Sequence, residues 1–404
     1  MENEDAARGR RYPPIGYNEP TAPQCRGAIG VSLNVPFYDI KAQYDELKGD
    51  MDAVVHEVIS SGGYIMGKHH NALEAEIAAL HGCKHGIAVN SGTDALRIMM
   101  DAAGIGPGDE VITTAFTFVA SVETIVQTGA RPVFVDIDSD TFQMDPGKIE
   151  AAVTSRTKAI LPIHLFGQIC DMATILPIAE KHGLIVLEDA AQAIGASQNG
   201  APAGTFGLAA GFSFYVTKNL GAAGDAGMIT TNDDAIAEAC RSIRVHGMGR
   251  ERYYYDHIGY TSRMDEIQAA VLRVKLTKLS AWNARRAEIA AIYAQGMSGG
   301  GVQIPVITEG NATTWHQYSI LSDRRDALQG HLKDQGVGSM IYYPVPIHFH
   351  EPYRHLGFAK GSLPITERVC ERILNLPIHP HMSDEQARHV AQAVASFAGA
   401  TVTA

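Results

Sequence analysis

The sequence predicts an α/β fold in two domains, from the length of the chain and from the way apolar runs alternate with helical stretches. At 404 residues the chain exceeds what one hydrophobic core usually serves. Between residues 86 and 189, each short apolar run is followed by turn residues and then by a helical stretch. This alternation is typical of a largely parallel sheet that is covered by helices on both faces.

The apolar runs give the predicted strands of the large domain, which are residues 86–90, 110–114, 131–136, 159–164, 184–189, 211–215 and 227–231. Past Asp265 the pattern changes to two long helices, 266–279 and 283–293, and then to short strands at 315–321 and 338–342. We therefore predict three parts. A flexible extension (1–33) precedes a large domain with a mostly parallel mixed sheet between helices (34–265) and a smaller α+β domain (266–404).

Composition places the chain among ordinary globular proteins, with 46% hydrophobic and 19% charged residues. The formal net charge of −11 argues against broad nucleic-acid binding, which needs a basic surface. It leaves room for a local basic pocket, which a phosphate-bearing ligand requires.

The cysteines and the N-terminus indicate the compartment. The 5 cysteines are scattered and form no C-x-x-C pair, so we expect neither a disulfide framework nor a metal site. The chain begins with the acidic stretch Met-Glu-Asn-Glu-Asp, and no apolar run of about 18 residues follows. We expect a soluble cytoplasmic protein without a signal peptide or a membrane span.

Lys218 is the first candidate for chemistry, because it follows an apolar strand and precedes a glycine-rich turn. Burial disfavours an ammonium and so exposes a neutral, nucleophilic amine. On spacing alone, an ordinary surface lysine is the commoner explanation.

Asp189 is the second candidate, since it falls at the carboxyl end of a predicted parallel strand, where open α/β sheets bind ligands. An anion at this edge suits the ring nitrogen of pyridoxal phosphate (PLP), which has to stay protonated. Gln192 follows three residues later and could donate to the phenolic oxygen of that cofactor. A helix N-cap is an equal alternative for Asp189.

A phosphate-type helix start forms the third candidate. Ser91, Gly92 and Thr93 follow a strand directly and open a helix, whose first backbone N–H groups and dipole favour an anion. Ser213 could add a hydroxyl to the same phosphate, and Phe118 could stack on a pyridine ring. Each has an ordinary alternative, which is helix capping for the first three and core packing for Phe118.

The order of these segments resembles the DegT-type sugar aminotransferases, a branch of the fold-type-I PLP enzymes with the aspartate-aminotransferase-like fold. The resemblance covers about nine-tenths of the chain. It is most specific at residues 90–96, 104–110, 188–192, 213–227, 259–270 and 343–348.

The resemblance implies a role for each matching position. Lys218 matches the Schiff-base lysine that also moves the proton, and Asp189 matches the partner of the ring nitrogen. Gln192 matches the ring-oxygen contact, Phe118 the stacking ring, and Ser91, Gly92, Thr93 and Ser213 the phosphate site. Arg263 stands where the family often has an asparagine that completes the phosphate site of the neighbouring subunit, so a homodimer is implied.

The resemblance also implies candidates for contact with a sugar or a diphosphate, namely His164, Tyr215, Tyr342, Tyr343 and His348. Strand packing is the alternative for Tyr342 and Tyr343, and a loop position is the alternative for His348.

The implied reaction moves an amino group from glutamate to a nucleoside-diphosphate keto-sugar. The stretch 218–227 looks like the subset that acts at sugar C3, with C4 as the alternative. A sugar dehydratase of the same fold is disfavoured, because those relatives have histidine where this chain has Lys218. A PLP-binding regulatory protein without turnover is a further alternative. A Rossmann-type oxidoreductase is disfavoured because no G-x-G-x-x-G fingerprint opens the first strand–helix unit.

Overall fold

The computed structural model describes residues 33–297 and 301–399. Almost all of the predicted N-terminal extension, residues 1–32, lies outside the described part. The helices of the described part are α1 (Ile40–Ser61), α2 (Lys68–Leu80), α3 (Gly92–Ala102), α4 (Ala120–Gln127), α5 (Ile149–Ala152), α6 (Met172–His182), α7 (Asp234–Ile243), α8 (Glu266–Leu276), α9 (Leu279–Gly296), α10 (Arg325–Asp334), α11 (Pro364–Arg372) and α12 (Asp384–Gly399).

The strands are β1 (His85–Val89), β2 (Glu110–Thr114), β3 (Arg131–Val135), β4 (Thr157–Ile160), β5 (Ile185–Asp189), β6 (Ser197–Gln198), β7 (Ala201–Pro202), β8 (Ala209–Ser213), β9 (Gly227–Thr231), β10 (Asn311–Ala312), β11 (Tyr318–Leu321) and β12 (Ile373–Leu376). Seven of them form one sheet in the order β1-β9-β8-β5-β4-β2-β3. Strand β9 runs antiparallel to both of its neighbours, and the other adjacent pairs are parallel. The prediction of a mostly parallel mixed sheet between helices is confirmed.

One predicted strand, 338–342, is wrong. Its backbone alternates between two partners: Gly338 N donates to Val35 O at 2.9 Å, and Met340 N donates to Asn375 O at 3.1 Å. Because neither partner continues the ladder, only isolated bridges form there. Strand β12 pairs with β11 instead.

The hydrophobic side chains of the described part form two main groups. The larger surrounds the seven-stranded sheet and includes Ala269 and Leu272 of α8. The second lies between β11, β12, α9, α10 and α12, with Tyr293 and Tyr318 fully enclosed. The domain boundary at 265/266 stays a prediction. Helix α8 and the start of α9, at Leu279, pack in the sheet core, and the second core includes α9 from Ile289 onward. Among the residues that the structure describes, no helix is long and apolar enough to cross a membrane.

The sheet register brings the predicted site together at one edge. Val89 at the end of β1 and Ser213 at the end of β8 both pair with Gly227, while Asp189 at the end of β5 pairs with Gly211. A Cβ at Gly227 would lie 2.3 Å from the carbonyl oxygen of Ser91, so only glycine lets β9 pass this close to the start of α3. The carboxyl ends of β1, β5 and β8 therefore converge, as expected for a ligand site in an α/β sheet.

Candidate active site

A cavity of about 650 Å³ opens at this edge of the sheet. Most of the side chains predicted from the sequence line it. They are Ser91, Gly92, Thr93, Phe118, His164, Asp189, Gln192, Ser213, Tyr215, Lys218, Tyr342 and Tyr343. Two predicted residues, Arg263 and His348, do not line it.

Lys218 stands in the turn between β8 and β9, where its backbone N donates to Tyr215 O at 2.8 Å. The side chain is part-exposed, and the exposed part faces the cavity. Removal from water lowers the pKa of Lys218 to about 8, although the negative charge of Asp189 acts in the opposite direction. A useful fraction of the amine is therefore neutral near pH 7, as a nucleophile requires. The alternative of an ordinary surface lysine is wrong.

Asp189 is buried, with 4% of its surface exposed, and both of its carboxylate oxygens are held. Ser121 Oγ donates to Oδ2 at 2.6 Å, and Ala191 N donates to Oδ1 at 3.1 Å. Burial still raises the pKa of Asp189 above its ordinary value. A protonated ring nitrogen against this carboxyl would supply the opposite charge that such a buried group requires. A turn and no helix follows Asp189, so the helix N-cap alternative is wrong.

The start of α3 offers a cradle for a phosphate. Ser91 Oγ accepts from Asp94 N at 3.1 Å and so serves as the N-cap. Within the described part of the chain, the backbone N–H groups of Gly92 and Thr93 have no hydrogen-bond partner. A Cβ at Gly92 would lie 2.6 Å from Ser213 Cβ. Glycine thus leaves two free donors and the Ser213 hydroxyl side by side at the positive end of a helix.

Two further side chains in the cavity wall suit a flat aromatic ligand. Gln192 Oε1 accepts from Phe166 N at 2.7 Å, which fixes the amide, and Nε2 donates to Tyr343 OH at 3.4 Å. The second hydrogen of Nε2 is left for a ligand at the cavity wall. Phe118 is 54% exposed and its ring centroid lies 6.3 Å from that of Tyr343. Because Phe118 faces the cavity, the alternative of core packing is wrong. Its exposed face is available for stacking.

The structure corrects the predictions for two histidines. His164 is fully buried; its Nε2 lies 3.0 Å from Glu188 Oε2 and its Nδ1 accepts from Cys170 N at 3.3 Å. Neither ring nitrogen is left to bind a sugar, so His164 contributes only its ring face to the cavity wall. His348 is buried beside Phe134, with Nε2 3.4 Å from Glu367 Oε1, and it does not reach the cavity.

Several residues of the site were missed by the sequence analysis. Ser121 orients Asp189, and Tyr38, His316 and Gln317 line the cavity from parts of the chain far from the motifs. Gln317 Nε2 donates to Tyr38 OH at 3.1 Å, and Tyr38 OH lies 3.3 Å from Tyr342 OH. No local pattern marks these positions, because only the fold brings them to the cavity.

A partly neutral lysine, a buried carboxyl, a helix-start anion cradle and an exposed aromatic ring fit the amine, ring nitrogen, phosphate and ring face of PLP. This set defines a PLP-dependent enzyme of the mixed-sheet α/β class. The model of the DegT/DnrJ/EryC1/StrS aminotransferase family matches residues 45–395. The chain belongs to this family and is a PLP-dependent aminotransferase.

Individual relatives agree over nearly the whole chain. A "Pleiotropic regulatory protein" of Geobacillus stearothermophilus is 49% identical over 90% of this chain and 99% of its own. The dTDP-3-amino-3,4,6-trideoxy-alpha-D-glucose transaminase of Streptomyces venezuelae is 42% identical over 90% of this chain and 96% of its own. The crystal structure of S. venezuelae DesV superposes with a TM-score of 0.89 at 42% identity, covering 91% of this chain and all of that one.

The cradle leads to a first prediction. In Gly92→Ala the new methyl group would displace Ser213, so we expect the dissociation constant for PLP to rise by about 10-fold or more. Absorbance titration of the apoprotein with PLP measures this. Gly330→Ala is the matched control, because a Cβ there meets nothing within 4 Å. Unchanged PLP affinity in Gly92→Ala would remove the start of α3 from the phosphate site.

Proposed function

We propose that this protein transfers an amino group from glutamate to C3 of a nucleoside-diphosphate keto-sugar. The observation that carries the proposal is the placement of Lys218 and Asp189 on one cavity, in a chain whose S. venezuelae relative is named for amination of a dTDP-sugar at position 3. The cavity, at about 650 Å³, is of the size that holds an extended ligand.

Each residue of the cofactor site has a separate role in the proposed reaction. PLP, when bound, supplies a carbonyl that links amines and a protonated ring that accepts electrons. Lys218 Nζ would hold the cofactor and, once released from it, would take up the proton that leaves the substrate carbon bearing the amino group. Asp189 keeps a proton at the ring nitrogen, and its Ser121 and Ala191 contacts prevent it from turning away. Gln192 Nε2 steadies the phenolic oxygen.

The sugar and diphosphate fit the open side of the cavity. Tyr215, which is 48% exposed, and the pair Tyr342 and Tyr343 present hydroxyl groups there. Burial raises the pKa of Tyr342 and of Tyr343 above the ordinary value, so both remain neutral donors at working pH. We assign these three side chains to substrate contact.

A homodimer is part of the proposal. Arg263 is part-exposed and does not line the cavity of its own chain. A guanidinium is suited to phosphate. We assign Arg263 to the phosphate site of the neighbouring subunit. In Arg263→Ala, sedimentation measures whether the dimer persists and titration with PLP measures the affinity for the cofactor, so the two effects are distinguished.

Two alternatives lead to different products. Amination at C4 would use the same cofactor site, and dehydration is disfavoured by a lysine at position 218. A regulatory role without turnover is suggested by the name of the G. stearothermophilus relative. The buried carboxyl and the partly neutral lysine instead favour chemistry, since neither group is needed merely to bind a ligand.

The experiment is a panel of dTDP- and UDP-linked sugars with the keto group at C3 or C4, each incubated with ¹⁵N-glutamate. We expect label in a C3 amine, with kcat/KM for the C3 ketone at least about 100-fold above that for C4. Lys218→Ala is the control that separates enzymatic from spontaneous amination. Label in a C4 amine would contradict the C3 assignment, and no label in any sugar would contradict the proposed substrate class.

A further inference from the structure

His316 is a buried imidazole in the cavity wall that none of the steps above uses. Only 5% of its surface is exposed, yet it lines the cavity together with Lys218. Its backbone N donates to Phe166 O at 2.9 Å, which ties the segment before β11 to the sheet domain. The ring therefore has a fixed position beside the reacting groups.

The neighbours of His316 determine where its ring proton lies. Asn219 Nδ2 donates to Thr314 O at 2.8 Å and to Asn283 Oδ1 at 2.9 Å. Since a carbonyl oxygen can only accept, the Asn219 amide is oriented with Oδ1 toward His316 Nδ1, at 3.1 Å. Oδ1 is an acceptor, so His316 Nδ1 has to carry the hydrogen.

The other ring nitrogen is then an acceptor. Burial and the nearby Lys218 charge hold the pKa of His316 well below its ordinary value, so the ring stays neutral and Nε2 keeps a lone pair. His316 Nε2 has no hydrogen-bond partner within the described residues, and this atom is not completely buried. An acceptor that lines the cavity and has no partner in the described part of the chain is available to a donor on a ligand.

The two substrates of the proposed reaction differ in what they offer such an acceptor. Next to its reacting carbon an amino acid carries a carboxylate, which only accepts hydrogen bonds, and a methylene group. A keto-sugar carries hydroxyl or amide N–H groups on the carbons beside its keto carbon, and these donate. An unprotonated imidazole therefore suits the sugar and offers the amino acid nothing.

We propose that His316 Nε2 accepts a hydrogen bond from a hydroxyl or amide N–H on a ring carbon beside the keto carbon, and that it thereby selects the sugar. This inference rests on the proposed function and deepens it. It makes His316 a residue of the sugar half-reaction alone.

Two variants separate this role from a structural one. His316→Gln places an amide oxygen near the position of Nε2 but gives up the bond to Asn219, whereas His316→Asn keeps a donor for Asn219 and removes the acceptor. We expect His316→Asn to lower kcat/KM for the keto-sugar half-reaction by about 10-fold or more, with His316→Gln affected less. The glutamate half-reaction should change by less than about 3-fold in both. Rapid-mixing absorbance follows each half-reaction separately.

Calorimetry with the nucleotide amino-sugar product measures binding independently of turnover. We expect His316→Asn to bind this product more weakly than His316→Gln. If His316→Gln is the weaker variant, or both half-reactions fall together, His316 is structural and the inference is overturned. The same hydrogen bond can be tested in the wild-type protein by changing the substrate. We expect kcat/KM to be about 10-fold lower for a keto-sugar with hydrogen in place of the neighbouring hydroxyl. Equal rates for the two sugars would overturn the inference. Failure of the wild type to aminate or bind any nucleotide sugar would instead overturn the proposed function, and the inference with it.

Discussion

Replacing Lys218 with alanine is expected to lower the rate of amino transfer by at least about 10³-fold. The variant loses both the amine that holds the cofactor and the base that moves the proton, and no other lysine or arginine of the described chain lines the cavity. Steady-state assays with glutamate and a keto-sugar nucleotide measure the loss. Circular dichroism and PLP titration show whether the protein still folds and still binds the phosphate end of the cofactor.

Lys218→Arg sharpens this result. It retains a positive charge and a similar volume, but a guanidinium stays protonated and cannot act as a nucleophile. We expect it to be as inactive as the alanine variant. Activity within about 10-fold of wild type in either variant would show that Lys218 is not the nucleophile.

We expect Asp189→Asn to lower kcat by about 10²- to 10³-fold, which is the second large effect. The amide has nearly the same shape, so the contact with Ser121 can persist, but it cannot hold a proton at the ring nitrogen. Without that proton the ring accepts electrons poorly when the substrate C–H bond breaks. A deuterium label on the donor carbon should therefore give a larger isotope effect in the variant, since proton removal becomes slower.

Asp225→Asn is the matched control for Asp189→Asn. Asp225 lines the same cavity but is exposed, and the same change of charge there should alter kcat by less than about 3-fold. Equal losses in the two variants would mean that general electrostatics, and not a specific contact of Asp189, controls the rate.

The sequence predicts the sheet and its cofactor edge well because both are set by local features. The apolar runs end at Asp189 and Tyr215, and the strands of the structure end at Asp189 and Ser213. Parallel strands have to place their carboxyl ends at the same edge. The small residues at Ser91–Gly92 likewise predict a helix start, which the structure confirms.

The rest depends on contacts between distant parts of the chain. Ser121 reaches Asp189 across 68 residues, and His316 reaches Asn219 across 97. His164 and His348 fail as sugar contacts for reasons that appear only in the folded protein. Both ring nitrogens of His164 are occupied, by Glu188 and Cys170, and His348 lies outside the cavity beside Glu367. Sequence patterns identify which side chains can do chemistry, whereas the fold decides which of them are free to do it.

Reduction of the PLP-loaded protein with borohydride, followed by peptide mapping, tests the central claim most directly. Lys275 provides an internal comparison, because burial also lowers its pKa to about 8, but it bonds to Gly221 O at 2.8 Å and lies away from the cavity. We predict that the cofactor mass is found on the peptide containing Lys218 and is absent from that containing Lys275. Label on Lys275, or spread over many lysines, would contradict the assignment of Lys218 and of the cavity as the active site.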